Sequence, residues 1–130
     1  MTCNIRPSQN LKTPAPHIRE KLYLSRAMPP RVIVGALCLN CHTFDLEIDR
    51  RIIRLTPAEF DLLYYFMSHS GEIFSAEELL CHVWQYPPGA GKSNLVRAHI
   101  KNLRLKIEPD PPKPIRLVTV GRLGYTIAGN

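Results

Sequence analysis

The segment from residue 93 to residue 108 limits what this chain can fold into more than any other. Its apolar residues recur at intervals of four, three and four, as Val96, Ile100, Leu103 and Ile107. Basic residues repeat the spacing one position later, as Arg97, Lys101 and Arg104. In an α-helix the centres of these two stripes lie about 100° apart, so one can pack into a core while the other stays accessible.

The charges of this helix indicate more than a solvated surface. From residue 93 to residue 107 it carries four basic side chains and no acidic one, whereas solvated helix faces usually mix the two signs. The next segment, about 115–128, reads as a β-hairpin with the basic residue Arg122 at its tip. A basic helix followed by a basic hairpin is typical of proteins that place the helix in a major groove of DNA.

Charge is divided unevenly along the 130 residues. Residues 1–31 have a net charge of +5, residues 32–91 of −5, and residues 92–130 of +6. The positive charge of the folded part is therefore concentrated on the helix and the hairpin, which suits an anionic polymer bound on one side.

The rest of the chain predicts one domain behind a tail. Residues 1–31 are proline-rich and basic, and we expect a disordered tail or linker there. Short apolar runs between 32 and 55, among which residues 44–48 alternate between apolar and polar, predict an antiparallel meander. Two capping boxes, Thr56 with Glu59 and Ser75 with Glu78, predict two helices. No apolar leader or span is visible, so we expect a cytoplasmic protein that does not contact membranes.

Four blocks of sequence resemble one family, in the family's order. Residues 55–63 read LTPAEFDLL, residues 77–84 read EELLCHVW, residues 96–106 read VRAHIKNLRLK and residues 119–125 read TVGRLGY. They are similar to the OmpR/PhoB-type winged-helix DNA-binding domain, the output half of many bacterial response regulators. The resemblance covers about residues 32–128.

This resemblance implies an α+β fold: a winged helix-turn-helix with an N-terminal four-stranded antiparallel sheet, a three-helix core and a C-terminal hairpin wing, within residues 32–130. It implies a sequence-specific transcriptional regulator of a two-component phosphorelay that binds direct-repeat promoter DNA as a tandem homodimer. It also implies that the loop before the recognition helix contacts RNA polymerase, through Gln85, Tyr86 and Lys92. Neither a catalytic group nor a cofactor is expected.

The residues expected to contact DNA lie on the recognition helix (about 93–108, major groove) and on the wing (about 115–128, minor groove). They are Asn94, Arg97, Lys101, Asn102, Arg104, Lys106, Arg116, Thr119, Arg122 and Tyr125. Among them Lys106 and Arg116 are expected on phosphates, and Arg122 in the minor groove.

The chain departs from the family pattern at three places. Arg97 stands where the family usually has an acidic residue, and the usual Arg-Gly of the wing is reversed as Gly121-Arg122. The thirty or so residues before the domain are too few for the receiver domain that usually precedes it, so no phosphoacceptor can be assigned. We expect either a stand-alone output domain or a fragment of a longer protein.

Two other motifs leave alternatives open. Cys38, Cys41 and His42 form C-x-x-C-H, which is found in haem attachment sites and resembles part of a zinc site. Residues 86–93 match a phosphate-binding loop except that Tyr86 replaces its first glycine. The loop reads more simply as a connection with Ser93 capping the next helix. The alternative function is therefore a winged-helix protein-interaction module with a metal or redox sensor at Cys38 and Cys41.

Overall fold

A computed structural model describes residues 30–87 and 89–128. The predicted tail lies outside the described residues except for its last two positions. Arg31 already belongs to the first strand, where its backbone pairs with that of Asn40. The sheet therefore begins one residue before the predicted boundary.

The N-terminal part is a four-stranded antiparallel sheet in sequential order, as predicted. Its strands are β1 (Arg31–Val34), β2 (Leu37–Asn40), β3 (Asp45–Ile48) and β4 (Arg51–Arg54). Alternate side chains of the two central strands are buried, namely Leu37, Leu39, Leu46 and Ile48. Asp49 and Arg50 both take positive φ, 51° and 65°, which is the geometry of a tight hairpin turn between β3 and β4.

Three helices follow: α1 (Pro57–Ser68), α2 (Ala76–Trp84) and α3 (Ser93–Ile107). Both predicted capping boxes are present. The hydroxyl oxygen of Thr56 accepts a hydrogen bond from the N–H of Glu59, and the Glu59 carboxylate accepts one from the N–H of Thr56. Ser75 and Glu78 make the same reciprocal pair at the start of α2. These bonds satisfy backbone donors that a helix start leaves without partners.

The start of α3 differs from the prediction. Ser93 was expected to cap the helix, but it is the first helical residue, and Lys92 occupies the cap position with extended backbone and no side-chain capping bond. A serine cap contributes only about 1 kcal/mol, so the packing of the helix can shift its start by one residue.

The chain ends in a hairpin of β5 (Leu117–Val120) and β6 (Gly124–Ile127). Tyr125 also exchanges two backbone hydrogen bonds with Phe74, in the segment just before α2, at 2.8 and 2.9 Å. The hairpin is thus attached to the helices as a wing. One buried core joins the sheet, all three helices and the wing, with Phe60, Phe66 and Leu103 among its fully buried side chains.

None of the helices in the described ranges has the length and the hydropathy needed to cross a bilayer.

Candidate DNA interface

Helix α3 presents the two faces that its sequence predicts. Its apolar stripe is buried, at 0–2% exposure, and consists of Val96, Ile100, Leu103 and Ile107. Four of the predicted DNA contacts on the helix are exposed, namely Asn94, Arg97, Lys101 and Asn102. At the boundary between the faces the half-buried ring of His99 packs on Trp84 of α2, with ring centroids 5.1 Å apart. Packing against α2 thus fixes the direction in which the exposed face points.

The outermost line of α3 includes two residues that the prediction omitted. Ala98 and Leu105 lie about 170° around the helix from the centre of the buried stripe. Both are exposed, Leu105 by 62%. They flank Lys101 along the helix, and apolar side chains in a major groove contact the methyl groups of thymine. Helical periodicity alone places both residues on this line, so the sequence contains the signal for them.

Arg104 does not lie freely on this face. Its Nε donates to the backbone oxygen of Leu117 and its Nη2 to the hydroxyl oxygen of Thr119, both at 2.9 Å. Its guanidinium also lies 6.0 Å from the ring centre of Tyr125. The side chain expected to read a base is therefore half-buried between α3 and the wing, and its hydrogen bonds hold the two together.

Lys106 likewise makes contacts within the protein. Its Nζ lies 2.5 Å from Oε1 of the buried Glu59 and 3.0 Å from the backbone oxygen of Arg54. Burial raises the pKa of Glu59, but hydrogen bonds from Lys106 and Thr56 and the charge of Lys106 outweigh it, so that the net pKa is lowered. The lysine expected on a phosphate thus joins the end of α3 to the start of α1.

The base of the wing is attached to the end of α3 by hydrogen bonds at Glu108 and Ile107. This buried carboxylate accepts from the backbone N–H groups of Ile115, Arg116 and Leu117. The guanidinium of Arg116 in turn donates to the backbone oxygen of Ile107 at the end of α3. Arg116 was expected on a phosphate, and the structure places its Nη1 on the helix terminus.

The three remaining predicted contacts, Thr119, Arg122 and Tyr125, lie on the wing. They line a cleft between the wing and the first half of α3, and Arg97 lines it from the helix side. Arg122 is exposed at the turn between β5 and β6, whereas Tyr125 is half-buried. The wing therefore brings its basic tip beside the exposed face of α3.

The predicted polymerase-contact loop lies between α2 and α3. Gln85 ends α2 with a left-handed backbone, φ 59°, and Tyr86 and Lys92 are both exposed. The loop is thus accessible next to the start of α3. It follows a helix rather than a strand, which is not the setting of a phosphate-binding loop.

Cys38 and Cys41 are both free thiols, and Cys41 is buried. Burial, and to a lesser degree the nearby Cys38, raises the pKa of the Cys41 thiol. Within residues 30–87 and 89–128, no group of three or more His, Cys, Asp and Glu side chains is placed to hold a metal ion.

Comparison with known proteins agrees with this architecture. RegX3, a sensory transduction protein of Mycobacterium tuberculosis, is 44% identical over 98 residues, which are 73% of this chain and 41% of that protein. The response regulator DrrB of Thermotoga maritima, an OmpR/PhoB homologue, superposes with a TM-score of 0.69 at 28% identity, over 85% of this chain and 50% of that one. The DNA-binding domain of Escherichia coli CadC superposes with a TM-score of 0.67 at 30% identity, over 80% of this chain and 96% of that one.

The chain spans about two fifths of the length of the curated relatives that it matches. The model of the family described as "Transcriptional regulatory protein, C terminal" matches residues 49–127, from the turn before β4 to the end of the wing. This chain therefore belongs to the OmpR/PhoB-type family of DNA-binding transcriptional regulatory domains.

Proposed function

We propose that this chain is a sequence-specific regulator of transcription that inserts α3 into the major groove of double-stranded DNA. One observation carries the proposal. The exposed face of α3 bears Asn94, Lys101 and Asn102 beside the exposed Arg97 and has no carboxylate, while the opposite stripe is fixed in the core. Such a face combines attraction to phosphates with side chains suited to base edges.

Direct readout of bases is assigned to the exposed face of α3, from its first turn to its middle. Lys101 suits the acceptors of guanine, and Asn94 and Asn102 suit adenine. Ala98 and Leu105, on either side of Lys101, suit thymine methyl groups. With α3 so placed, the wing lies beside the adjoining minor groove, where Arg104 and Thr119 keep it at a fixed position relative to the helix.

The oligomeric state on DNA, the contact with RNA polymerase and the place of action belong to the same proposal. We propose that two copies bind direct repeats as a tandem dimer, and that Gln85, Tyr86 and Lys92 contact RNA polymerase from the exposed loop before α3. The domain would occupy about residues 31–130 behind a basic tail and act in the bacterial cytoplasm, as the output part of a phosphorelay and without catalysis of its own.

The salt dependence of DNA binding tests the proposal. We expect the logarithm of the association constant for a random-sequence duplex to fall linearly with the logarithm of salt concentration, because bound phosphates release counterions. Substitution of Lys101 by alanine should weaken binding, while substitution of Arg51, an exposed arginine of the N-terminal sheet, should not. Equal affinity of the two variants at every salt concentration would contradict the assignment of α3.

A further inference from the structure

A cleft of about 400 Å³ opens between α3, the wing and the start of α2. Arg97 lines it from α3 and Arg122 from the turn of the wing. Three hydroxyl-bearing residues complete the polar part of its lining, namely Ser75, Thr119 and Tyr125.

The charges of this cleft are unbalanced. Two guanidinium groups line it and no carboxylate does. Among the described residues, Arg97 and Arg122 take part in no ion pair, whereas Lys106 is paired with Glu59. Two like charges in one cleft repel each other unless an anion lies between them, so the lining favours a negatively charged ligand.

A second arginine on the same side of α3, Arg104, has a structural role. Arg104 lies two turns after Arg97, and its guanidinium is engaged by Leu117 and Thr119 of the wing. Arg97 lines the cleft beside the tip of the same hairpin, and it makes no such bond to the described residues. Arg104 therefore attaches the wing to α3, whereas the donors of Arg97 remain available to a ligand.

Two hydroxyl groups of the cleft accept hydrogen bonds within the protein. Thr119 accepts one from Arg104, and Ser75 accepts one from the N–H of Glu78, and each of these hydroxyls can still donate its own proton. Two guanidinium groups with additional O–H donors match a tetrahedral oxyanion with several acceptor oxygens, as in a phosphate.

We propose that this cleft binds one phosphate group between Arg97 and Arg122, and that the group is a backbone phosphate of the bound duplex. The inference rests on the proposed DNA-binding function. It gives Arg122 a different target from the minor groove expected from its place in the sequence. The strand that separates the major groove under α3 from the minor groove under the wing supplies the phosphate.

The test removes single phosphate charges from the DNA. On a bound duplex, each phosphate is replaced in turn by a neutral methylphosphonate, and affinity is measured for the wild type, Arg97→Ala and Arg122→Ala. We expect one position where the neutral group weakens wild-type binding about tenfold, as loss of a charged hydrogen bond does. At that same position the neutral group should weaken binding of each variant by less than it weakens binding of the wild type, because only one of the two arginines remains to contact the phosphate.

Arg51→Ala serves as the matched control, since it removes one exposed arginine outside the cleft. It should show the same sensitive position as the wild type, and thermal unfolding should show that all three variants are folded. If the two variants Arg97→Ala and Arg122→Ala lost their sensitivity to the neutral group at different phosphates, the shared site would be overturned. A base preference altered by Arg122→Ala at a minor-groove position would overturn it as well.

A titration with inorganic phosphate at constant ionic strength separates the two sources of the ligand. Backbone amide resonances of residues 119–125 should shift in the wild type and not in Arg97→Ala. Such shifts without a shared sensitive phosphate in the DNA would mean a site for free phosphate and would overturn the backbone assignment. If the wild type bound no duplex, the proposed function would fail, and the titration alone would decide whether the cleft binds an anion.

Discussion

Arg104 donates to the hydroxyl oxygen of Thr119 at 2.9 Å, and this bond connects the recognition helix directly to the wing. A second bond, from Nε to the backbone oxygen of Leu117, fixes the guanidinium in its plane. The relative position of the two elements proposed to contact DNA is thereby set before any DNA is bound, which lowers the conformational cost of binding.

Replacing Arg104 by alanine should destabilise the fold by about 1–3 kcal/mol, because two charge-assisted hydrogen bonds are lost and the Leu117 oxygen loses a donor. Urea unfolding measures this, and faster amide exchange in residues 117–127 should accompany it. Thr119→Val, which removes only the side-chain acceptor, should cost less. For DNA, Arg104→Ala should weaken binding to all sequences alike. A relaxed preference at a single base pair would show instead that Arg104 reads a base.

Replacing Lys106 by methionine should also act on stability rather than on DNA. The change leaves the buried Glu59 carboxylate without its cation, a loss of about 1–3 kcal/mol because Lys106 itself is only half-buried. The double variant Lys106→Met with Glu59→Gln should recover part of that loss, because no charge then remains buried at this position. A Lys106→Met protein with unchanged stability but a lower salt dependence of DNA binding would contradict this account.

Glu59 makes part of the stability depend on pH. Because its pKa is lower in the folded state than its ordinary value of 4.5, its contribution is complete above that value. As pH falls through the lower folded pKa, the contribution is lost. The free energy of unfolding of Glu59→Gln should therefore differ most from that of the wild type near neutral pH, and the difference should shrink below pH of about 4. A difference that stays constant down to pH of about 2 would argue against this role.

Gly124 permits the wing to approach the segment before α2. Its φ is 141°, and a Cβ there would lie 2.1 Å from the backbone oxygen of Phe74. Gly124→Ala should therefore cost about 2–4 kcal/mol. Gly121→Ala is the matched control, since its φ is also positive but nothing lies within 4 Å, and about 1 kcal/mol is expected. Equal losses of stability in the two variants would show that the close approach is unimportant.

The reactivity of the Cys41 thiol tests the alternative hypothesis that the protein is a redox sensor. A sensor needs an accessible thiol with a lowered pKa, whereas burial and Cys38 raise the pKa of Cys41. Alkylation by iodoacetamide at neutral pH should be much slower at Cys41 in the folded protein than in urea, and Cys38→Ser should raise its rate slightly. Labelling at the unfolded rate would revive the sensor hypothesis.

Much of the architecture follows from local patterns. The spacing of Val96, Ile100 and Leu103 predicts both the helix and its buried side, and the two capping boxes locate the starts of α1 and α2. These features depend on neighbours within a few residues, so sequence alone reveals them.

The partners of Arg104 and Lys106 do not follow from such patterns. The partners lie 13 and 47 residues away, at Leu117 and Glu59, so a helical wheel places both residues on an accessible face and misses their bonds. The same holds for the cleft, because nothing in the spacing shows that Arg97 and Arg122 line one cleft.

Sequence-specific recognition by α3 can be measured by selection from a random library of duplexes at near-physiological salt. We expect an enriched motif, arranged as a direct repeat with half-sites about one helical turn apart. With Lys101→Ala, preference at one base position should relax at a cost of about 1–3 kcal/mol. No enrichment by the wild type, with weak binding of all sequences alike, would contradict sequence-specific recognition by α3.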